Sequence, residues 1–158
     1  MSKLTLNLEG DTHVVVTRRF AAAPKSVYRA HTEADIMQKW LTGPDGWTMP
    51  VCISEAWPGG RLRCEWTDGK GGDFYLTGHY VELEPFSRIV HVERMHLPDP
   101  TPDNHVETRF AANGAGTLLT MRMTLPDADT RAAMLATGME EGMEASYARL
   151  EGVVGAHG

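Results

Sequence analysis

The amino-acid sequence predicts an α+β fold: a seven-stranded antiparallel sheet curled around a long C-terminal helix, with two short helices after the first strand. Three observations lead there. Val14, Val16, Arg18 and Phe20 alternate along one face of a strand that runs into Pro24, and Pro24 opens a helix with Val27, Tyr28 and His31 at helical spacing. Six further strand-like runs, bounded by glycine, proline and asparagine turns, fill residues 48–125. Beyond Pro126, Leu135, Met139, Met143, Tyr147, Leu150 and Val154 recur at spacings of four, four, four, three and four, which marks an amphipathic helix of several turns. An antiparallel sheet buries one face, and this is the one long helix on offer to cover it.

Taken in order, the first strand spans residues 12–20 and the first helix 24–32. A second short helix follows over 33–41, capped by Thr32 and ended by Gly43-Pro44-Asp45-Gly46. The remaining strands are 48–56, 61–67, 73–83, 88–96, 105–112 and 117–125. Trp57-Pro58-Gly59-Gly60 turns between the first two of these, and Asn113-Gly114-Ala115-Gly116 is a tight hairpin. Gly69-Lys70-Gly71-Gly72 lacks the spacing of a phosphate loop and leads into a strand, so it too is a hairpin turn. Residues 97–104 carry too many prolines for anything but a longer loop. Asp127 or Asp129 caps the last helix. Gly138 and Gly142 each cost it about 1 kcal/mol relative to alanine, which predicts a bend or a weak start there unless close packing needs them.

A chain of 158 residues fits one domain, residues 1–158, with its ordered part over about 12–154. The formal charge of −6, with 21 acidic against 15 basic residues and no basic cluster, repels phosphate backbones and anionic lipid headgroups. Nucleic acid and membrane partners are therefore not expected. No apolar run approaches the roughly 20 residues a bilayer span needs, and MSKLTLNLEG lacks a basic-then-apolar export signal, so a cytoplasmic protein is expected. The two cysteines, Cys52 and Cys64, flank the Trp57–Gly60 turn at nearly equal distances, which sets them close on neighbouring strands as reduced, half-buried thiols.

Several segments together resemble the START-like, helix-grip superfamily, in the branch named after the activator of the heat-shock protein ninety ATPase. They are Arg18-Arg19-Phe20-Ala21-Ala22-Ala23-Pro24 with Val27, Trp40, Pro58-Gly59-Gly60-Arg61, GHYVELEPFSRIV from Gly78 to Val90, Gly116-Thr117-Leu118-Leu119-Thr120-Met121, and Gly142-Met143-Glu144-Ala145-Ser146-Tyr147-Ala148-Arg149-Leu150. The resemblance covers nearly the whole chain. It implies a seven-stranded sheet gripping a long helix, with a cavity between them that in relatives holds apolar small molecules or is nearly closed. It implies no single activity, because the superfamily includes carriers, aromatic polyketide cyclases and regulatory domains. The chain departs from the branch's usual pattern at Leu41, at Glu55 with Trp57, at Met123 and at Met143, so no residue role is carried over.

Five of the nine methionines, Met121, Met123, Met134, Met139 and Met143, fall on the final strand or helix beside that expected cavity. Flexible thioethers either adapt to an irregular ligand or simply fill the core. Tyr75, His79, His91, Glu93 and Trp66 are the candidate polar and aromatic groups on neighbouring strands. His91 and Glu93 share a face. If it points inward, a histidine held by a carboxylate can orient or deprotonate a ligand hydroxyl. If it points outward, they are ordinary solvated residues, and Ile89 and Met95 against Val90 and Val92 leave the parity open. The expected lining is thus Trp40, Trp66, Tyr75, His79, His91, Glu93, Met121, Met123, Met139, Met143 and Tyr147. The seven histidines show no HxxxH or HExxH spacing, and the serines and cysteines lack a nucleophile context, so no metal, cofactor or catalytic nucleophile is expected.

Three functions remain in play. The first is binding of an apolar or aromatic small molecule between sheet and helix, by a monomer or homodimer. The second is a cyclase-like or hydrolytic enzyme acting through cavity His or Glu. The third is a chaperone- or stress-related module with a protein partner, which only the resemblance suggests. An exposed Trp57 or Trp47 would serve a contact surface or a lid over the cavity mouth.

Overall fold

The computed structural model describes residues 3–97 and 99–157, which leaves Pro98 of the expected proline-rich loop outside the described residues. The elements are β1 (Thr5–Glu9), β2 (His13–Phe20), α1 (Pro24–Thr32), α2 (Ala34–Trp40), β3 (Thr48–Ser54), β4 (Arg61–Thr67), β5 (Asp73–Glu84), β6 (Arg88–His96), β7 (Asn104–Asn113), β8 (Gly116–Thr124), α3 (Ala128–Leu135) and α4 (Met139–His157). All strands join one sheet in the order β1-β2-β8-β7-β6-β5-β4-β3, every neighbour antiparallel. No helix among the described residues is long and apolar enough to cross a membrane.

The sheet has eight strands where seven were expected, and its ordered part begins before residue 12. The added strand, β1, folds back on β2 through Gly10 and pairs Leu6 with Val16 and Leu8 with Val14. It is short and mostly exposed, so its identity comes from that pairing rather than from burial.

Helix α1 starts where expected, with Pro24 at its first turn. Thr32 does not cap α2. Its hydroxyl donates back to the Tyr28 carbonyl at 3.3 Å, and Glu33 stands at the α2 N-terminus with its carboxylate paired to Arg29 rather than capping the helix. Trp40 Nε1–H donates to the Ala30 carbonyl at 2.9 Å, so the indole locks α2 against α1.

The C-terminal segment is two helices rather than one. Asp127 caps α3 by accepting from the Thr130 N–H at 2.7 Å. The chain then turns through Gly138 at φ +79°, a left-handed conformation suited to glycine, and α4 begins at Met139. Leu135 therefore does not continue the stripe that begins at Met139. Tyr147, Leu150 and Val154 of α4 are buried against Val14, Val16, Phe20, Val106, Phe110 and Leu119 of the sheet, with Val27, Trp40 and Met37 of the short helices closing the core.

Candidate functional site

Registry between strands decides which residues look into the fold. Tyr80 lies opposite His91 and Gly78 opposite Glu93 across β5 and β6, while Val106 and Asn104 of β7 lie opposite the same two residues. Tyr80 and Val106 are core residues, so His91 and Glu93 point inward, towards α4. His91 Nε2 and Glu93 Oε1 are 2.7 Å apart, with side chains 15% and 22% exposed. Asn104 is 7% exposed, and among the described residues its Oδ1 has no hydrogen-bond partner. A buried amide oxygen without a donor costs about 1–3 kcal/mol, so it marks a place where a donor is wanted.

Other polar groups line the same interior. Tyr80 hydroxyl and Ser54 Oγ are 2.7 Å apart, and Ser54 donates to the Thr32 carbonyl at 2.6 Å. Burial pushes the Tyr80 phenol up to about 12, against the opposing pull of Ser54, so it is a neutral hydrogen-bonding group near pH 7. Tyr147, buried near Glu144 and Glu93, is likewise shifted upward, chiefly by burial.

The sheet and α4 are tied by Arg18, a 4%-exposed cation on the inner face of β2. Its guanidinium reaches Glu144 at 3.4 Å and Glu151 at 3.2 Å, two carboxylates seven residues apart on α4, and lies 4.6 Å over the Phe20 ring. Glu151 also accepts from the Ala21 N–H at 3.0 Å.

The expected lining residues divide. His91 and Glu93 face inward. Met121 on β8 and Met139 and Met143 on α4 are half-buried and packed on the core. Met123 and Tyr147 are buried, as are Trp40 and Trp66, whose Nε1–H donates to the Leu41 carbonyl at 2.8 Å. Tyr75 and His79 do not belong to this group. They alternate with Leu76 and Tyr80, so they sit on the opposite face of β5, where Tyr75 stacks on His96 at 4.2 Å beneath the Arg63 guanidinium. Trp57 is 58% exposed, whereas Trp47 is half-buried and packs on Phe74.

Two open clefts, of about 340 and 320 Å³, lie at the rim of the fold. One runs along Arg94, Pro102, His105 and Pro126, the other along Lys3, Leu4, Glu140 and Glu144, and neither includes an expected lining residue. The interior is not sealed, however. His91, Glu93, Met95, Met121, Met139 and Met143 all retain solvent contact. No three His, Cys, Asp or Glu side chains among the described residues are placed to hold a metal ion.

Sequence reasoning passed over Asn104, Arg18 and the Ser54–Tyr80 pair as site groups. Arg18 carried a signal, because it alternates with Val14, Val16 and Phe20 and so had to be buried and paired. Asn104 had none, since it abuts the proline-rich loop.

Comparison with known proteins bears on the whole chain. Among curated proteins none matches it. A structure from Rhodobacter sphaeroides superposes with a TM-score of 0.88 at 28% identity, covering 98% of this chain and 99% of that one. Protein NE0264 from Nitrosomonas europaea gives 0.83 at 20% identity over 95% and 98%, and Ms6760 from Mycobacterium smegmatis 0.84 at 19% over 94% of each. The last two show the fold alone. The family model described as activator of Hsp90 ATPase homolog 1-like protein matches residues 21–155, and the chain belongs to that family, within the START-like, helix-grip class of folds.

Proposed function

We propose that this protein binds a small molecule with an apolar or aromatic body between the inner face of its sheet and α4, with no chemistry of its own. The inward-facing His91–Glu93 pair, set across from the unpartnered Asn104 oxygen, supports the reading. A ligand hydroxyl or amide can donate to Asn104 and pair with the imidazole, while Met95, Met121, Met139 and Met143 adapt to the apolar body. The interior polar groups are few and convergent, as in sites that orient rather than dissolve a ligand.

Native mass spectrometry of the purified protein, with a thermal-shift screen of aromatic, fatty-acyl and sterol-like compounds, tests this. A co-purifying species, or a melting temperature that rises and saturates with ligand, is expected, and Asn104→Leu should weaken it. A ligand-free protein with no shift in any of the three classes overturns the proposal.

The same pair supports a second reading, a cyclase-like or hydrolytic enzyme in which Glu93 holds His91 as general base. Once a ligand is known, Glu93→Gln separates the two: retained binding with lost turnover of that ligand supports the enzyme, and no turnover by the parent protein removes it.

A further inference from the structure

We propose that Met37, Cys52 and Cys64 form a three-sulfur site for copper(I). Cys52 on β3 lies directly opposite Cys64 on β4, and both are free thiols. Cys52 Sγ–H donates to Met37 Sδ of α2 at 3.9 Å. Residues directly opposite on antiparallel strands project from the same face, so the two thiols stand side by side on the inner face of the β3–β4 hairpin. Cys52 thus stands between a thioether of α2 and a thiol of β4, one sulfur from each of three elements.

The spacing suits a trigonal soft cation. At a metal–sulfur distance of about 2.3 Å, three sulfurs around a central ion stand about 4 Å apart, which is the Cys52–Met37 separation. Thiolate with thioether selects copper(I) over magnesium or calcium. Zinc is disfavoured because structural zinc takes four ligands, and a thioether is a poor one for it. Met37 and Cys64 are 4% and 1% exposed, which excludes water and oxidants from the ion, and half-buried Cys52 gives the way in. In the binding step two S–H bonds break, two sulfur–copper bonds form and two protons pass to solvent. Met37 donates a lone pair, and copper stays copper(I). The site uses none of His91, Glu93 or Asn104 as a ligand, so its test does not depend on the ligand reading.

The test is anaerobic titration of the reduced full-length protein with copper(I) held by a bicinchoninate buffer, followed by X-ray absorption. One equivalent should bind, with three sulfur scatterers at about 2.3 Å. Cys52→Ser should abolish competition with the chelator, and Met37→Leu, which keeps the volume of the core, should weaken binding by about tenfold. Circular-dichroism melts confirm that each variant folds. Failure of the reduced protein to compete, binding unchanged by Cys52→Ser, or nitrogen and oxygen scatterers in place of sulfur would overturn the site. So would rapid formation of a Cys52–Cys64 disulfide in air by a reduced protein that takes up no copper(I), which would make the pair a redox couple instead.

Discussion

His31 should make the fold acid-sensitive well above the range where carboxylates protonate. Its Nδ1–H donates to the Val27 carbonyl at 2.7 Å, and its ring packs against Trp40 and Phe110 with centroids 4.9 and 5.1 Å away. Burial lowers its pKa to about 4, partly opposed by the Val27 bond and reinforced by His91. The unfolded value is about 6.5, so between the two the unfolded chain binds a proton that the native state refuses. The neutral imidazole's contribution is therefore fully present above pH 6.5 and is lost as pH falls towards 4. From pH 7 to pH 5 that loss comes to about 2 kcal/mol, and to about 3 kcal/mol once pH 4 is reached. Urea denaturation at pH 7, 6 and 5 reads it as a falling midpoint, by about 1 M for a slope near 2 kcal/mol/M. His31→Gln keeps a donor and does not titrate, so its midpoint should vary much less over the same interval, even if it is lower throughout. The other histidines are common to both proteins, so the difference between the two isolates His31 together with its coupling to His91. Parallel loss of stability by parent and variant between pH 7 and pH 5 would refute the reasoning.

Two further outcomes follow from contacts already described. Arg18→Ala strips the counter-charge from Glu144 and Glu151 and leaves a hole beside Phe20, at an expected cost of about 3 kcal/mol, whereas Arg18→Met, which keeps the volume, should cost less. Denaturant midpoints decide, and a change under about 0.5 kcal/mol for Arg18→Ala would show that the clamp is energetically idle. Gly138→Ala forces a side chain into a left-handed turn and should lower stability by about 1 kcal/mol, a shift of a few degrees in melting temperature. An unchanged or raised melting temperature would mean that the α3–α4 joint relaxes freely.

How much of this was legible in advance depended on whether a residue's own pattern or its neighbours' registry decided its place. β2, α1 and the meander from β3 to β8 carried local signals, and their bounds fall within a few residues of those expected. The Cys52–Cys64 juxtaposition was readable because a hairpin turn sets its own register. β1 was missed because a five-residue, mostly exposed strand looks like any polar terminus until β2 is there to pair with it. The inward aim of His91 and Glu93 was not readable. Both faces of β6 carry apolar residues, and the choice is made by the pairing of Tyr80 with His91, just before β5 bulges at Val81. Tyr75 and His79, by contrast, were within reach, since Leu76 and Tyr80 already alternate with them as the apolar face. The break at Gly138 was half visible: glycine marked the weak point, but the methionine and leucine spacing ran straight across it.

The order of strands also bears on how the chain is made. β2 lies beside β8, so Thr17 pairs with Thr120, and α4, which covers them both, comes later still. A ribosome delivers the N-terminal end first. The β1–β2 hairpin, α1 with α2, and the successive hairpins from β3 to β7 can each assemble from neighbours as they emerge. The apolar face of β2, with Val14, Val16 and Phe20, must wait for β8 and α4 to be made before it acquires its second sheet neighbour and its covering helix. Until then the nascent protein presents a sticky, half-finished edge, and joining β2 to β8 under α4 is one late, long-range step.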